Sequence, residues 1–192
     1  MTGIRRVAVY CGSATGSEPV FAEAAQATAR AMVSRGIDLV YGGGRLGLMG
    51  LTADAVLELG GRVYGVIPEA LVNLEVAHQG VTELHTVSTM HERKAKMTDL
   101  ADAFLALPGG IGTLDELFEA WSWNALGYHA KPFCLLNVEG FWDGLITFMN
   151  HATECGFLSE QRRSQLLVAE RPDEALKLLD DAAAAATQGM VW

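Results

Sequence analysis

Short apolar runs alternate along this chain with longer stretches of helical period. The run Val7-Ala8-Val9-Tyr10, within Arg6 to Tyr10, predicts a first strand. Ile37 to Tyr41, Arg62 to Ile67, Val81 to Val87, Ala103 to Leu107, Lys131 to Val138 and Leu166 to Ala169 predict six more. Between them, Glu18 to Arg35 repeats Phe21, Ala25, Ala29, Met32 and Val33 at helical spacing and closes on Gly36. Leu51 to Leu59, Ser88 to Ala101, Leu114 to Leu126, Gly140 to Gly156, Ser159 to Gln165 and Pro172 to Ala186 predict further helices. Ser88 or Thr89 caps the helix that follows it, with Glu92 near the third or fourth position. Pro68 to Gly80 has no clear period and is longer than most connections, which suggests a functional loop.

Strand, loop and helix repeated with short links imply parallel strands and right-handed crossovers. The predicted fold class is therefore α/β: a single doubly wound Rossmann-like domain with a mainly parallel central sheet and helices on both faces. Residues 1–187 form this domain, and 188–192 form a loose C-terminal tail. A length of 192 residues at 50% hydrophobic suits one such domain with a full core. Net charge is −9, from 14 basic and 23 acidic residues, so no phosphate-backbone footprint and no nucleic-acid partner are expected. No apolar segment approaches a membrane span, and the first residues run straight into a strand rather than a secretory core. Three cysteines, Cys11, Cys134 and Cys155, give neither a C-x-x-C spacing nor an even count. A cytoplasmic protein without disulfides is expected.

In such a sheet ligands bind at the carboxyl ends of the strands, near the point where strand order reverses. Three glycine- or serine-rich turns follow strands and open on that edge: Gly12-Ser13, Gly42-Gly43-Gly44, and Gly109-Gly110-Ile111-Gly112-Thr113. The last has the make-up of an anion cradle, because glycines let a ligand approach the amides and the helix start adds unpaired N–H groups. A tight turn without a ligand explains it equally well when it is taken alone. The first loop lacks the G-x-G-x-x-G spacing of a redox dinucleotide site, so a mononucleotide fits better.

Met90, Arg93, Met97 and Leu100 share one helix face, which puts a guanidinium inside an apolar stripe. Such a charge needs an anionic partner, a wet pocket, or a route for the side chain to snorkel out. Lys94 offers a second cation or is simply solvated. Asp115 and Glu116 fall in the first turn after the cradle, where the helix dipole favours their ionised forms. On composition the two are equal candidates for binding hydroxyls or activating water. The five histidines, His78, His85, His91, His129 and His151, show no metal-ligand spacing and read as structural or exposed. Trp121 and Trp123 cannot both face the core, and an outward Trp beside Leu126 suggests a subunit contact or a pocket wall.

Pro108 to Glu116, with Met90-His91-Glu92-Arg93-Lys94 upstream, resembles the P-G-G-x-G-T-x-x-E and M-H-x-R-K signatures of the LONELY GUY family. These are cytokinin-activating phosphoribohydrolases, often mislabelled lysine decarboxylases. Tyr41-Gly42-Gly43-Gly44 and Cys11-Gly12-Ser13 fit as well, and the resemblance runs nearly to the last helix. It implies hydrolysis of the N-glycosidic bond of an N6-modified adenosine 5′-monophosphate by a homodimer with no metal and no cofactor. The catalytic pair it implies is Arg93 and Glu116. Glu75, Lys94, Gly110, Ile111, Gly112, Thr113 and Ser122 are implied to contact the nucleotide. Gly12, Ser13, Gly43, Gly44, Gly109, Leu114 and Asp115 complete the expected binding surface. Ile111 stands where plant members often have Tyr, and Ser122 where they often have Thr. A non-catalytic nucleotide or molybdenum-cofactor carrier on the same fold is the alternative, though a carrier needs no Arg93 with Glu116. Pyridoxal-dependent lysine decarboxylation would need a Schiff-base lysine, and no residue suggests one.

Overall fold

The computed structural model describes residues 3–72 and 76–188. Seven strands form one sheet: β1 Arg6–Tyr10, β2 Asp38–Tyr41, β3 Val63–Pro68, β4 Glu83–Val87, β5 Ala103–Ala106, β6 Phe133–Leu136 and β7 Leu166–Ala169. Their order is β4-β3-β2-β1-β5-β6-β7, and every pair is parallel. The chain winds outward from β1 to β4, then returns to lay β5 on the other side of β1. Strand order therefore reverses between β1 and β5, with Tyr10 opposite Ala106 at the carboxyl end.

The helices are α1 Pro19–Ser34, α2 Gly47–Glu58, α3 Met90–Leu100, α4 Ile111–Ala125, α5 Asp143–Glu154, α6 Glu160–Gln165 and α7 Pro172–Gln188. Alternate strand residues point to opposite faces, and the two faces build separate cores. Val7, Val9, Leu39, Val63, Leu105 and Leu136 pack against Ala29 and Met32 of α1, Ala53 and Val56 of α2, and Leu176 and Leu179 of α7. Ala8, Tyr10, Val40, Tyr64, Phe104 and Phe133 pack against Met97 of α3, Leu117 and Trp121 of α4, and Met149 of α5. Burial on both faces is why these strands read as unbroken apolar runs. Of the expected tail, Gln188 is the last residue of α7, and 189–192 lie outside the described residues.

Strands fall within a residue or two of expectation, but several helix starts do not. α2 begins at Gly47 rather than Leu51, and α4 at Ile111 rather than Leu114. The first helical residues need no intrahelical acceptor for their N–H groups, so glycine is tolerated there and does not end the helix. One consequence reaches the chemistry. Asp115 and Glu116 sit in the second turn of α4, and no acid occupies its first turn. The dipole expected to act on them is correspondingly weaker, since it fades beyond one turn. α5 starts late because Val138–Gly140 makes a tight turn with Glu139 at φ 47°, closed by the Trp142 N–H donating to Asn137 Oδ1 at 2.7 Å. α3 is capped by Thr89, which accepts the Glu92 N–H at 3.1 Å, while the Glu92 carboxylate accepts the Ser88 N–H at 2.8 Å.

Two predictions follow from this packing. Gly47 holds φ +60°, and a Cβ there would run into the Ser13 backbone. Gly47→Ala lowers unfolding stability by about 1–3 kcal/mol, readable by denaturant titration. Among the cysteines, Cys11 and Cys134 are buried and Cys155 is exposed. Burial, with the Glu116 charge adding, pushes the Cys11 thiol far up. Burial, with Glu174 adding, pushes Cys134 up to about 12. A thiol titration of the folded protein at neutral pH should register one fast-reacting group, and all of them after denaturation.

Candidate functional site

Three turns converge where strand order reverses, and they meet backbone to backbone. The Leu107 N–H donates to Tyr10 O at 2.9 Å, and one step on the Gly12 N–H donates to Pro108 O at 3.1 Å. The Leu48 N–H at the start of α2 donates to Gly12 O at 3.0 Å. A Cβ on Gly109 would collide with the Thr113 side chain and lie 2.9 Å from Gly12 N. Only glycine lets the first and third turns approach this closely.

α4 starts at this meeting point with Gly110 as its N-cap and no side-chain cap. The Leu114 N–H closes the first helical bond onto Gly110 O at 3.1 Å, so the N–H groups of Ile111, Gly112 and Thr113 have no intrahelical acceptor. Gly110 and Gly112 are exposed, and a Cβ at either would meet nothing within 4 Å. Beside them a cavity of about 260 Å³ is lined by Gly12, Ser13, Thr15, Leu48, Gly109 and Gly110, with Phe21 and Phe141 as its far wall. These two rings pack edge to face, 5.7 Å between centroids. The uncapped helix start beside this mostly apolar cavity is the part of it that suits an anion. A larger cleft, about 770 Å³, lies behind α1 between Arg30, Glu139 and Arg171. It contains none of the residues expected at the site.

Arg93 enters from α3. It is only 4% exposed, and its Nη2 donates to Gly42 O at 2.9 Å while Nη1 lies 3.8 Å from Met90 Sδ. Its charge reaches the Tyr41 phenol, which burial pushes well above its usual range, with Asp54 and Cys11 adding and Arg45 and Arg93 opposing. Glu116 enters from α4. Burial raises Tyr10 and Cys11, and the Glu116 carboxylate raises both further. Arg93 thus bears on the end of β2, and Glu116 on the end of β1.

The neighbouring charges belong to a separate clamp. Lys94 Nζ lies 3.0 Å from Asp115 Oδ2 and 2.7 Å from Glu119 Oε2, with its side chain 14% exposed. Burial works against its charge, but the hydrogen bonds and charges of Glu119 and Asp115 together raise its pKa. The clamp ties α3 to α4, one residue after Arg93 and one before Glu116. Asp115 therefore faces Lys94, whereas Glu116 faces the sheet.

Of the expected binding residues, Gly12, Ser13, Gly109 and Gly110 line the cavity, and Ile111, Gly112 and Thr113 form the helix start above it. Gly43 and Gly44 lie in the second turn, with Gly43 at φ +76°. Leu114 is half-buried against the core. Ser122 is not brought to the cradle. It lies three turns along α4, lining a separate groove with Phe118, Trp121, Met149 and Arg162. Glu75 lies outside the described residues. Trp121 and Trp123 do not both face the core: Trp121 is buried, while Trp123 packs on His91 and Tyr128. Sequence reasoning missed Phe21, Phe141 and the His78–Asp54 pair. Phe21 was visible only as a core position of its helix, and nothing local aligns Phe141 with it.

The family model described as "Possible lysine decarboxylase" matches residues 49–179. A cytokinin riboside 5′-monophosphate phosphoribohydrolase of Arabidopsis thaliana is 48% identical over 177 residues, 92% of this chain and 83% of that protein. The cytokinin riboside 5′-monophosphate phosphoribohydrolase LOG of Oryza sativa subsp. japonica is 47% identical over 188 residues, 98% of this chain and 78% of that one. Among solved structures, the molybdenum cofactor carrier protein from Chlamydomonas reinhardtii superposes with a TM-score of 0.70 over 94% of this chain and 98% of its own, at 18% identity. That last likeness is one of fold. With the glycine motif seated at the strand-order reversal and nearly half of the aligned positions shared with these phosphoribohydrolases, the chain belongs to the LONELY GUY family.

Proposed function

We propose that this chain hydrolyses the N-glycosidic bond of an N6-modified adenosine 5′-monophosphate, releasing the free base and ribose 5-phosphate. The observation that carries this reading is a buried Arg93 and a sheet-facing Glu116 flanking an uncapped helix start where strand order reverses. The 5′-phosphate rests on the amides of Ile111 to Thr113 and against the Gly12-Ser13 turn. Glu116 lies five residues beyond Ile111, about 7.5 Å along the helix axis at 1.5 Å per residue, the scale of a ribose. Fixing the phosphate at one end therefore holds the sugar beside the acid, and that positioning is itself catalytic.

As the bond to the base lengthens, positive charge grows on the ribose, as in glycoside hydrolysis. The Glu116 carboxylate stabilises that charge and orients water for addition at the anomeric carbon. One water proton ends on the departing base. A guanidinium is a poor proton donor, so the role we give Arg93 is to fix groups in place. The exposed Leu126 and Tyr128, beside Trp123, are the face we propose for a homodimer contact. The cytoplasm is the compartment we propose, since the buried thiols are free.

The test is direct. Purified protein is incubated with AMP and with N6-isopentenyl-AMP, and free base is followed by chromatography. Glu116→Gln and Arg93→Ala each lower kcat by at least ~100-fold, the scale of a lost acid–base or charge-stabilising group. Release of no base from either nucleotide sinks the proposal. Tight nucleotide binding without turnover returns the carrier reading instead.

A further inference from the structure

The second glycine turn is held down by a strap. Residues 76–78 run antiparallel across it: the Arg45 N–H donates to Val76 O at 3.0 Å, Gly44 bridges Ala77, and the His78 N–H donates to Gly43 O at 3.0 Å. Val76 sits at φ 50°, a left-handed conformation that a β-branched residue keeps only when its surroundings impose it. His78 anchors the strap: the residue is 4% exposed and its ring uses both nitrogens, Nδ1 accepting the Gly80 N–H at 3.1 Å and Nε2 lying 2.8 Å from Asp54 Oδ1 on α2. Accepting at Nδ1 leaves the proton on Nε2, where it donates to the carboxylate. A buried imidazole with both nitrogens engaged is fixed in place.

The turn under the strap also carries Arg93, whose Nη2 donates to Gly42 O at 2.9 Å. Gly42 has no spare room, since a Cβ there would run into the guanidinium. A shift of the turn therefore shifts the guanidinium. The connection runs from Asp54 to the His78 ring, from the His78 amide to Gly43, and from Gly42 to Arg93.

We propose that His78 is a positioning residue for the reaction, holding the Gly42–Gly44 turn and through it Arg93 by its hydrogen bond to Asp54. This rests on the hydrolase reading above. His78→Phe removes the donor and keeps a ring, Asp54→Ala removes the acceptor from a partly exposed site, and His78→Gln puts an amide N–H near the Nε2 position. Circular dichroism and thermal melting confirm that each variant is folded before kinetics are taken.

On whichever of AMP and N6-isopentenyl-AMP the wild type turns over faster, His78→Phe and Asp54→Ala lower kcat by ~10-fold or more with KM within ~2-fold, while His78→Gln stays within ~3-fold of wild type, the split expected for lost transition-state alignment. In an Arg93→Ala background His78→Phe brings no further loss, because the two act as one unit. Wild-type kcat in folded His78→Phe, an equal loss in His78→Gln, or an undiminished loss in the Arg93→Ala background overturns the proposal. The strap is also read without turnover: hydrogen exchange at the Arg45 amide accelerates in His78→Phe and Asp54→Ala. Unchanged exchange overturns the clamp whatever the kinetics, and a wild type that releases no base overturns the hydrolase reading on its own.

Discussion

The closest packing at the carboxyl edge of the sheet is backbone on backbone, and the site depends on it. The Gly12 amide reaches Pro108, the Leu48 amide reaches Gly12, and Gly47 lies against Ser13 with no space for a Cβ. These contacts bring the starts of α2 and α4 to one place. Helix starts carry unsatisfied N–H groups and partial positive charge, so converging them favours an anion there without any cationic side chain. The chain's acidic balance is then no obstacle to holding a phosphate, because peptide dipoles supply the attraction locally.

Side-chain charges around this centre are sorted by helix face. Successive residues on a helix point in directions roughly 100° apart, so Asp115 and Glu116 serve different neighbours although they adjoin in sequence. Asp115 and Glu119 engage Lys94 from α3. Glu116 turns to β1, where its charge is felt by Tyr10 and Cys11. Lys94 and Arg93 divide in the same way. The outer pairs lock the two helices together, and that lock fixes the spacing of the inner residues. A clamp between Lys94, the exposed Asp115 and the half-buried Glu119 contributes modestly to stability, but its geometric effect is felt by the adjoining Arg93 and Glu116.

The inner strands were legible because burial on both faces makes them apolar, and the glycine turns because each follows such a strand; the edge strand β4, Glu83–Val87, is mostly polar and half-exposed. The helix starts were not. Gly47, Gly50 and Gly112 read as loop, yet their backbones continue into α2 and α4; a Cβ would run into neighbouring backbone at Gly47 and Gly50 and would meet nothing at Gly112. The equal standing of Asp115 and Glu116 could not be broken by residue type, since only the partner helix distinguishes them. Arg93 was legible as a charge within an apolar stripe, but the carbonyl that receives it belongs to a turn 51 residues away. His78 carried no signal at all. Its partner lies on α2, and a lone histidine in an irregular loop resembles any other.

Sheet and turns do not by themselves choose between holding a nucleotide and cutting it, as the shared fold with a molybdenum cofactor carrier makes plain. The choice lies in side chains that the fold does not need. Position 93 lies on the face that carries Met97, which is fully buried. A Met or Leu there would pack without the desolvation of a guanidinium. A fold selected only for packing and a phosphate cradle has no use for a charge at that depth. Its presence, anchored on a glycine carbonyl beside the cradle, is accounted for when a reaction at the neighbouring ribose requires a fixed cation.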